Sequence, residues 1–268
     1  MHMLILGLGY TAAHIADAFR ARGGTVTAVR SRAAAGVLSL NDPAIPALLA
    51  KTSHILSSVP PSDTGNDPVI DRLGPQIAAA PARWVGYLSS TGVYGDAAGA
   101  WVDEASPLKG RRSGRLAADL AWQALHPQAR IFRLPGIYGP GRSTLDRLRT
   151  APVARIDLPG HIFSRIHVAD IKGAIDASLD HGDPGVYNLT DDEPAPGEAV
   201  TAYAARLLNL PIPPLQTLAQ AALSPMGRAF YGECRRVANG KMSRDLRYEL
   251  RYPDYRQGLT ACLKELTP

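Results

Sequence analysis

The sequence predicts a doubly wound α/β fold, with a parallel sheet covered by helices on both faces and a smaller C-terminal region attached to it. Three observations carry this reading. Short, wholly apolar runs such as residues 3–8 recur in the N-terminal half, as expected of strands buried on both faces. Between them lie stretches whose apolar residues repeat at helical spacing. Beyond Gly139 the pattern changes, and proline and glycine become dense, as in Gly139-Pro140-Gly141 and Pro211-Ile212-Pro213-Pro214. Strands separated by helices imply right-handed crossovers, which generate a parallel sheet.

Residues 3–8 read as the first strand. Residues 11–22 follow as a helix, with Ala13, Ile15, Ala16 and Phe19 on a repeating face. Gly23-Gly24 closes that helix, because glycine takes the left-handed cap with little strain. Residues 25–29 are β-branched and short, a second strand. Residues 54–59 and 83–89 are further strands, 116–125 a helix and 130–134 the next strand. In the second half, 168–179 reads as a helix, 185–189 as a strand able to rejoin the sheet, and 201–210 and Tyr255–Leu266 as helices of the smaller region.

Composition narrows the functional classes. The chain has 268 residues, 46% hydrophobic and 20% charged, as in ordinary globular enzymes. No apolar run approaches the roughly 20 residues that cross a bilayer, and residues 3–8 lack the flanks of a signal peptide. The expectation is a cytoplasmic protein without membrane contact, with Cys234 and Cys262 as reduced thiols. Neither cysteine lies in a metal-ligand pattern, so no metal is expected. The net charge of +5 comes mostly from scattered arginines with no basic-aromatic tract, which argues against a nucleic-acid partner.

The first strand runs into Gly7-Leu8-Gly9-Tyr10-Thr11-Ala12, a G-x-G-x-x-A pattern between strand and helix. The first glycine allows a tight turn, the second admits a pyrophosphate against the backbone, and Ala12 lets helix and strand pack closely. The helix N-terminus then offers free N–H groups to phosphate. Dinucleotide binding follows, with Gly7, Leu8, Gly9, Tyr10 and Thr11 around the cofactor. At the end of the second strand, where an acidic residue would bind the ribose 2′-hydroxyl of NAD, stand Arg30, Ser31 and Arg32. Guanidinium groups suit a 2′-phosphate, so the expected cofactor is NADP(H). The alternative for either arginine is plain surface cover.

Further segments resemble the extended short-chain dehydrogenase/reductase family, which includes the NAD-dependent epimerases and dehydratases. They are Ser57-Ser58-Val59-Pro60, Gly86 to Gly95 with its Ser89-Ser90-Thr91-Gly92-Val93-Tyr94, and Phe132 to Arg142 with Leu134-Pro135-Gly136 and Tyr138-Gly139-Pro140-Gly141. Ser164-Arg165-Ile166-His167-Val168-Ala169-Asp170 and Gly185-Val186-Tyr187-Asn188-Leu189 continue the series in order. The resemblance implies a Rossmann-type fold, with residues 1–140 and about 164–190 binding the cofactor and about 141–163 and 191–268 binding substrate. It implies cofactor contacts from Ser57, Val59, Pro60, Ser89, Leu134, Pro135 and Gly136. It also implies a small-molecule substrate, and a homodimer through the helices after the fourth and fifth strands.

That family works with a tyrosine acid/base and a lysine four residues later. The lysines here are Lys51, Lys109, Lys172, Lys241 and Lys264, and the residues four before them are Ala47, Ala105, Val168, Val237 and Thr260. No Tyr-x-x-x-Lys exists in the chain. Alignment of Arg115-Leu116-Ala117-Ala118-Asp119 with the family's corresponding segment puts Arg111 at the tyrosine and Arg115 at the lysine. Arg115 is then a ribose contact. Arg111, always protonated, is an anion binder or oxyanion stabiliser and no proton shuttle. Ser90 aligns with the family's polarising serine, with Thr91 as the alternative; both are equally readable as hydroxyls serving a loop backbone. Candidate substrate contacts are Tyr94, Arg142, Arg165 and His167, with packing the competing role for Tyr94 and a core hydrogen bond for His167. The leading function is an NADP(H)-dependent oxidoreductase or epimerase-like enzyme on a small polar or anionic substrate. The rival is a non-catalytic NADP(H)-binding redox sensor or regulatory protein.

Overall fold

In the computed structural model, which describes residues 1–62 and 65–266, the chain opens with β1 (His2–Leu6), α1 (Tyr10–Ala21), β2 (Thr25–Arg30) and β3 (Val37–Ser39). Next come α2 (Ile45–Leu49), β4 (His54–Ser57), α3 (Pro68–Ala78), β5 (Trp84–Ser90) and β6 (Trp101–Val102). Then follow α4 (Ser113–Leu125), β7 (Ala129–Leu134), β8 (Gly136–Tyr138), α5 (Thr144–Thr150), β9 (Arg155–Ile156), β10 (Arg165–His167) and α6 (Val168–Ala177). The last part holds β11 (Gly185–Asn188), α7 (Gly197–Leu207), β12 (Leu215–Gln216), α8 (Pro225–Phe230), β13 (Arg236–Val237), α9 (Gly240–Leu246) and α10 (Tyr255–Leu266).

Seven strands form one parallel sheet in the order β11-β7-β5-β4-β1-β2-β3, the doubly wound fold that the sequence predicts. Successive side chains of a strand point to opposite faces, and β1 is apolar on both. Met3 and Ile5 pack with Ile15 and Phe19 of α1 and Ile171 and Ile175 of α6. Leu4 and Leu6 pack with Leu49 of α2, Leu73 and Ile77 of α3 and Trp122 of α4. The chain leaves β1 toward β2 and β3, then returns to the other side with β4. That reversal opens a crevice at the C-terminal ends of β1 and β4, the usual place for a ligand in such sheets. A separate core of Tyr138, Leu145, Val200, Ala204, Tyr255 and Leu259 holds α5, α7 and α10 together. Among the described residues no helix is long and apolar enough to cross a membrane.

Several boundaries differ from the sequence expectation for local reasons. β1 stops at Leu6 because Gly7 adopts φ +95°, and the Gly7 and Leu8 N–H groups both donate to the Val29 carbonyl at 2.9 and 3.1 Å. α4 starts at Ser113, ahead of residue 116, without a side-chain cap to announce it. α7 spans Gly197–Leu207 and ends before left-handed Asn209 at φ 53°. α3 is absent from the sequence reading because Pro75 lies inside it, although Pro68 suits its first turn.

The N-terminus of α3 is held by Asp67, whose Oδ1 accepts from the Val69 and Ile70 N–H groups at 2.9 and 3.1 Å. Its Oδ2 accepts from the buried Trp122 indole at 2.8 Å. Asp67→Ala removes the cap and orphans the indole N–H, with an expected loss of about 2–4 kcal/mol in urea unfolding. A loss below about 1 kcal/mol would show that water replaces the carboxylate.

Candidate active site

The turn after β1 is shaped by Gly7. A Cβ there would lie 2.8 Å from Val59 Cγ2 and 3.0 Å from the Val59 nitrogen, so the position admits no side chain. Ser58 donates to the Gly7 carbonyl and fixes the turn against the end of β4. Gly9 caps α1 with no side-chain hydrogen bond and no acidic residue in the first turn. A bare helix N-terminus beside a glycine turn fits a pyrophosphate. Tyr10 donates to the Pro140 carbonyl at 3.0 Å, and the Arg142 guanidinium lies 5.5 Å from its ring. Thr11 is buried at the start of α1.

Arg30 donates from Nε to the Leu8 carbonyl at 2.8 Å. It therefore spans the glycine turn, while Arg30, Ser31 and Arg32 are all exposed at the sheet edge. Ser57 is fully buried and its Oγ has no partner among the described residues, Val59 packs on the turn, and Pro60 is exposed.

A cavity of about 560 Å³ lies beyond the C-terminal ends of β5 and β7. It brings together Ser90, Thr91, Arg111, Arg115, Pro135 and Gly136 from distant parts of the chain. Ser90 Oγ accepts from the Gly92 N–H at 3.1 Å and caps the 3-10 turn Thr91–Tyr94. Its own proton has no acceptor among the described residues. Thr91 is buried at the base of that turn. Arg115 likewise has no side-chain partner among the described residues.

Arg111 is committed. Its Nε donates to Glu233 Oε1 at 2.7 Å and its second amino group to the Ala229 carbonyl at 2.7 Å. Arg112, Glu233 and Arg235 also line the cavity, and the sequence reading misses them as site residues. Glu233 and Arg235 carry no motif spacing; the charge-dense run Glu233 to Arg236 is the one local signal.

Other expected contact residues have partners inside the protein. Ser89 and Tyr94 belong to a buried network around Arg133 and Asp119. Asp119 accepts from Arg133 at 3.1 and 2.8 Å and from the Ser89 hydroxyl at 2.5 Å. Tyr94 donates to Asn188 Oδ1 at 2.7 Å and accepts from Arg133 at 3.0 Å. The Tyr94 hydroxyl is thus engaged within this network, and the Ser89 side chain serves the core. Leu134 is also buried in the core.

His167 has the core hydrogen bond expected as its competing role. It caps α6 by accepting from the Ala169 N–H at 3.1 Å, lies 3.5 Å from Cys262 Sγ, and is enclosed by the Tyr138 and Tyr252 rings. Burial chiefly, with Arg251 and His14 nearby, pushes its pKa down to about 4. Arg142 and Arg165 line a second cavity of about 690 Å³. One amino group of Arg165 is already bound to the Phe163 and Ala195 carbonyls at 2.8 and 2.9 Å.

No family model matches the chain. A functionally unknown conserved protein from Silicibacter pomeroyi is 43% identical, covers 98% of both chains and superposes with a TM-score of 0.90. A protein from Methylobacillus flagellatus described as an NAD-dependent epimerase/dehydratase is 26% identical over 100% of this chain and 99% of that one, with a TM-score of 0.73. The human epimerase family protein SDR39U1, solved with NADPH, shares the fold at 18% identity over 98% of this chain and 99% of that one, with a TM-score of 0.78. A 3-diazoavenalumate denitrifying reductase from Streptomyces is 31% identical over 141 residues, 48% of this chain and 45% of that protein. The chain spans about half the length of the curated relatives it matches. The parallel sheet and the glycine turn agree with these likenesses: the chain shares its fold with NAD-dependent epimerase/dehydratase proteins and is similar over its full length to one described as such.

Proposed function

We propose that the chain is an NADP(H)-dependent oxidoreductase or epimerase-like enzyme acting on a small polar or anionic substrate. One observation carries the reading: Ser90, Thr91, Arg111 and Arg115 line the same cavity as Pro135 and Gly136, at the edge of the sheet where the glycine turn lies. Gly7, Gly9 and the first turn of α1 would hold the pyrophosphate, Arg30 and Arg32 the 2′-phosphate, and Arg115 the nicotinamide ribose. When bound, the reduced cofactor supplies a hydride.

The chain's own residues do the rest. Ser90 already accepts from the Gly92 N–H, so its O–H is left to donate to a substrate oxygen. Arg111, Arg112, Arg115 and Arg235 against Glu233 give the cavity an excess of positive charge, which favours an anionic substrate. With no Tyr-x-x-x-Lys pair, the proton comes from Ser90, Thr91, a displaced tyrosine, water or the substrate.

The test follows absorbance of NADPH with a panel of carbonyl and imine compounds. Ser90→Ala is expected to lower turnover by about 100-fold or more. NADPH binding without turnover on any compound, joined to partner binding that differs between the two redox forms, would favour the regulatory reading. In a fluorescence titration, the Arg32→Ala variant is expected to bind NADPH about tenfold more weakly and NADH unchanged. Parent chain that binds NADH more tightly than NADPH would sink the preference.

A further inference from the structure

We propose that Glu233 is a built-in occupant of an anion site formed by Arg111 and Arg235, and that a carboxylate or phosphate group of a ligand binds there by displacing it. The inference rests on the reading of the Ser90 cavity as a ligand site. The Glu233 carboxylate bridges two guanidinium groups with one oxygen each: Arg111 Nε donates to Oε1 at 2.7 Å, and Arg235 donates to Oε2 at 2.8 Å. An incoming carboxylate or phosphate oxygen pair would take the same two donors. All three side chains line the cavity that holds Ser90.

Both guanidinium groups are held by more than Glu233. Arg111 also donates to the Ala229 carbonyl at 2.7 Å, and Arg235 to the Gly95 carbonyl at 2.6 Å. The two donors stay in place when the carboxylate leaves, so the anion site is preformed. Glu233 itself lies in the stretch between α8 and β13, outside regular structure. Burial opposes its charge, yet the hydrogen bonds from Arg111 and Arg235 hold its carboxyl below the usual range, so it is an anion at neutral pH.

Displacement breaks one pair with an exposed partner, Arg111 at 55%, and one sheltered pair, Arg235 with Glu233 at 16% and 14%, and the incoming anion takes over the donors of both. Other anchors keep the segment in place. Phe230 stacks on Phe163 with ring centroids 4.2 Å apart, Cys234 N–H donates to Asp96 at 2.8 Å, and β13 pairs with β6. Only residues 231–233 need to loosen.

The experiment titrates inorganic phosphate at constant ionic strength into the parent, Glu233→Gln and Glu233→Gln/Arg111→Ala chains by calorimetry. Glu233→Gln is expected to bind phosphate about tenfold more tightly than the parent, and the double variant to lose that gain. No gain in Glu233→Gln, or a gain that survives Arg111→Ala, overturns the proposal. Hydrogen exchange on the parent chain gives a second measurement that needs no variant. Saturating phosphate is expected to speed exchange at 231–233, and unchanged exchange there also overturns the proposal. NADPH titrations run in parallel separate the two readings. NADPH binding without the phosphate gain removes this inference alone, whereas failure to bind NADPH removes the proposed function and leaves the phosphate result standing.

Discussion

Replacing Asp119 with alanine is expected to destabilise the fold by about 3–5 kcal/mol, measured by urea unfolding. The Arg133 and Asp119 side chains are 2% and 0% exposed, and their ion pair at 2.8 Å is supported by Ser89, Tyr94 and Gln123. Removal of the carboxylate leaves a guanidinium buried without a counter-charge, and that penalty exceeds the net value of the pair. The network joins β5, β7 and α4, so the effect reaches the cavity, where the first turn of α4 carries Arg115. A paired replacement, Asp119→Leu with Arg133→Met, is expected to recover part of the loss because no charge is then stranded. A loss below about 1 kcal/mol for Asp119→Ala would mean that water or a rotamer change screens Arg133.

Acid is expected to destabilise the protein through its buried histidines. The pKa of His167 falls from 6.5 to about 4, and that of His54 falls likewise, chiefly through burial and next through Arg83. Both side chains are almost fully enclosed, at 3% and 1% exposure. Each has a folded-state value below its unfolded value, so between these limits the unfolded chain binds more protons. The stability tied to neutral imidazole is intact above pH 6.5 and is lost as pH falls through about 4. Each histidine accounts for about 3 kcal/mol across that window. His167→Asn keeps a cap acceptor for α6 and removes the titration. Its stability is expected to fall about 3 kcal/mol less than the parent's between pH 6.5 and 4, whatever packing it loses. Parallel pH curves for the two proteins would contradict this.

The glycine turn was legible because its requirement is local. Gly7 at φ +95°, Gly9 without a side-chain cap and small Ala12 under α1 are backbone needs written within six consecutive positions. The strands of the sheet were legible from apolar runs, although their ends moved where a glycine or an uncapped helix start intervened. The site was legible only in part. Ser90, Thr91, Arg111 and Arg115 do share one cavity. Tyr94 and His167 lie in the same motifs, yet they face inward to Asn188 and to the α6 N-terminus. Motif membership does not say to which side a residue points.

By itself the sequence determined the parallel doubly wound sheet, the glycine turn, the arginines at the end of β2 and the absence of a Tyr-x-x-x-Lys pair. Each of these is a matter of short-range periodicity, backbone conformation or residue identity. Only the tertiary structure decided what Arg111 does. Its partner Glu233 lies 122 positions away. The two meet because the chain returns from the C-terminal region to the end of the sheet and pairs β13 with β6. No local pattern encodes a charge pair of that separation, since its geometry is set by the packing of elements that are remote in the chain.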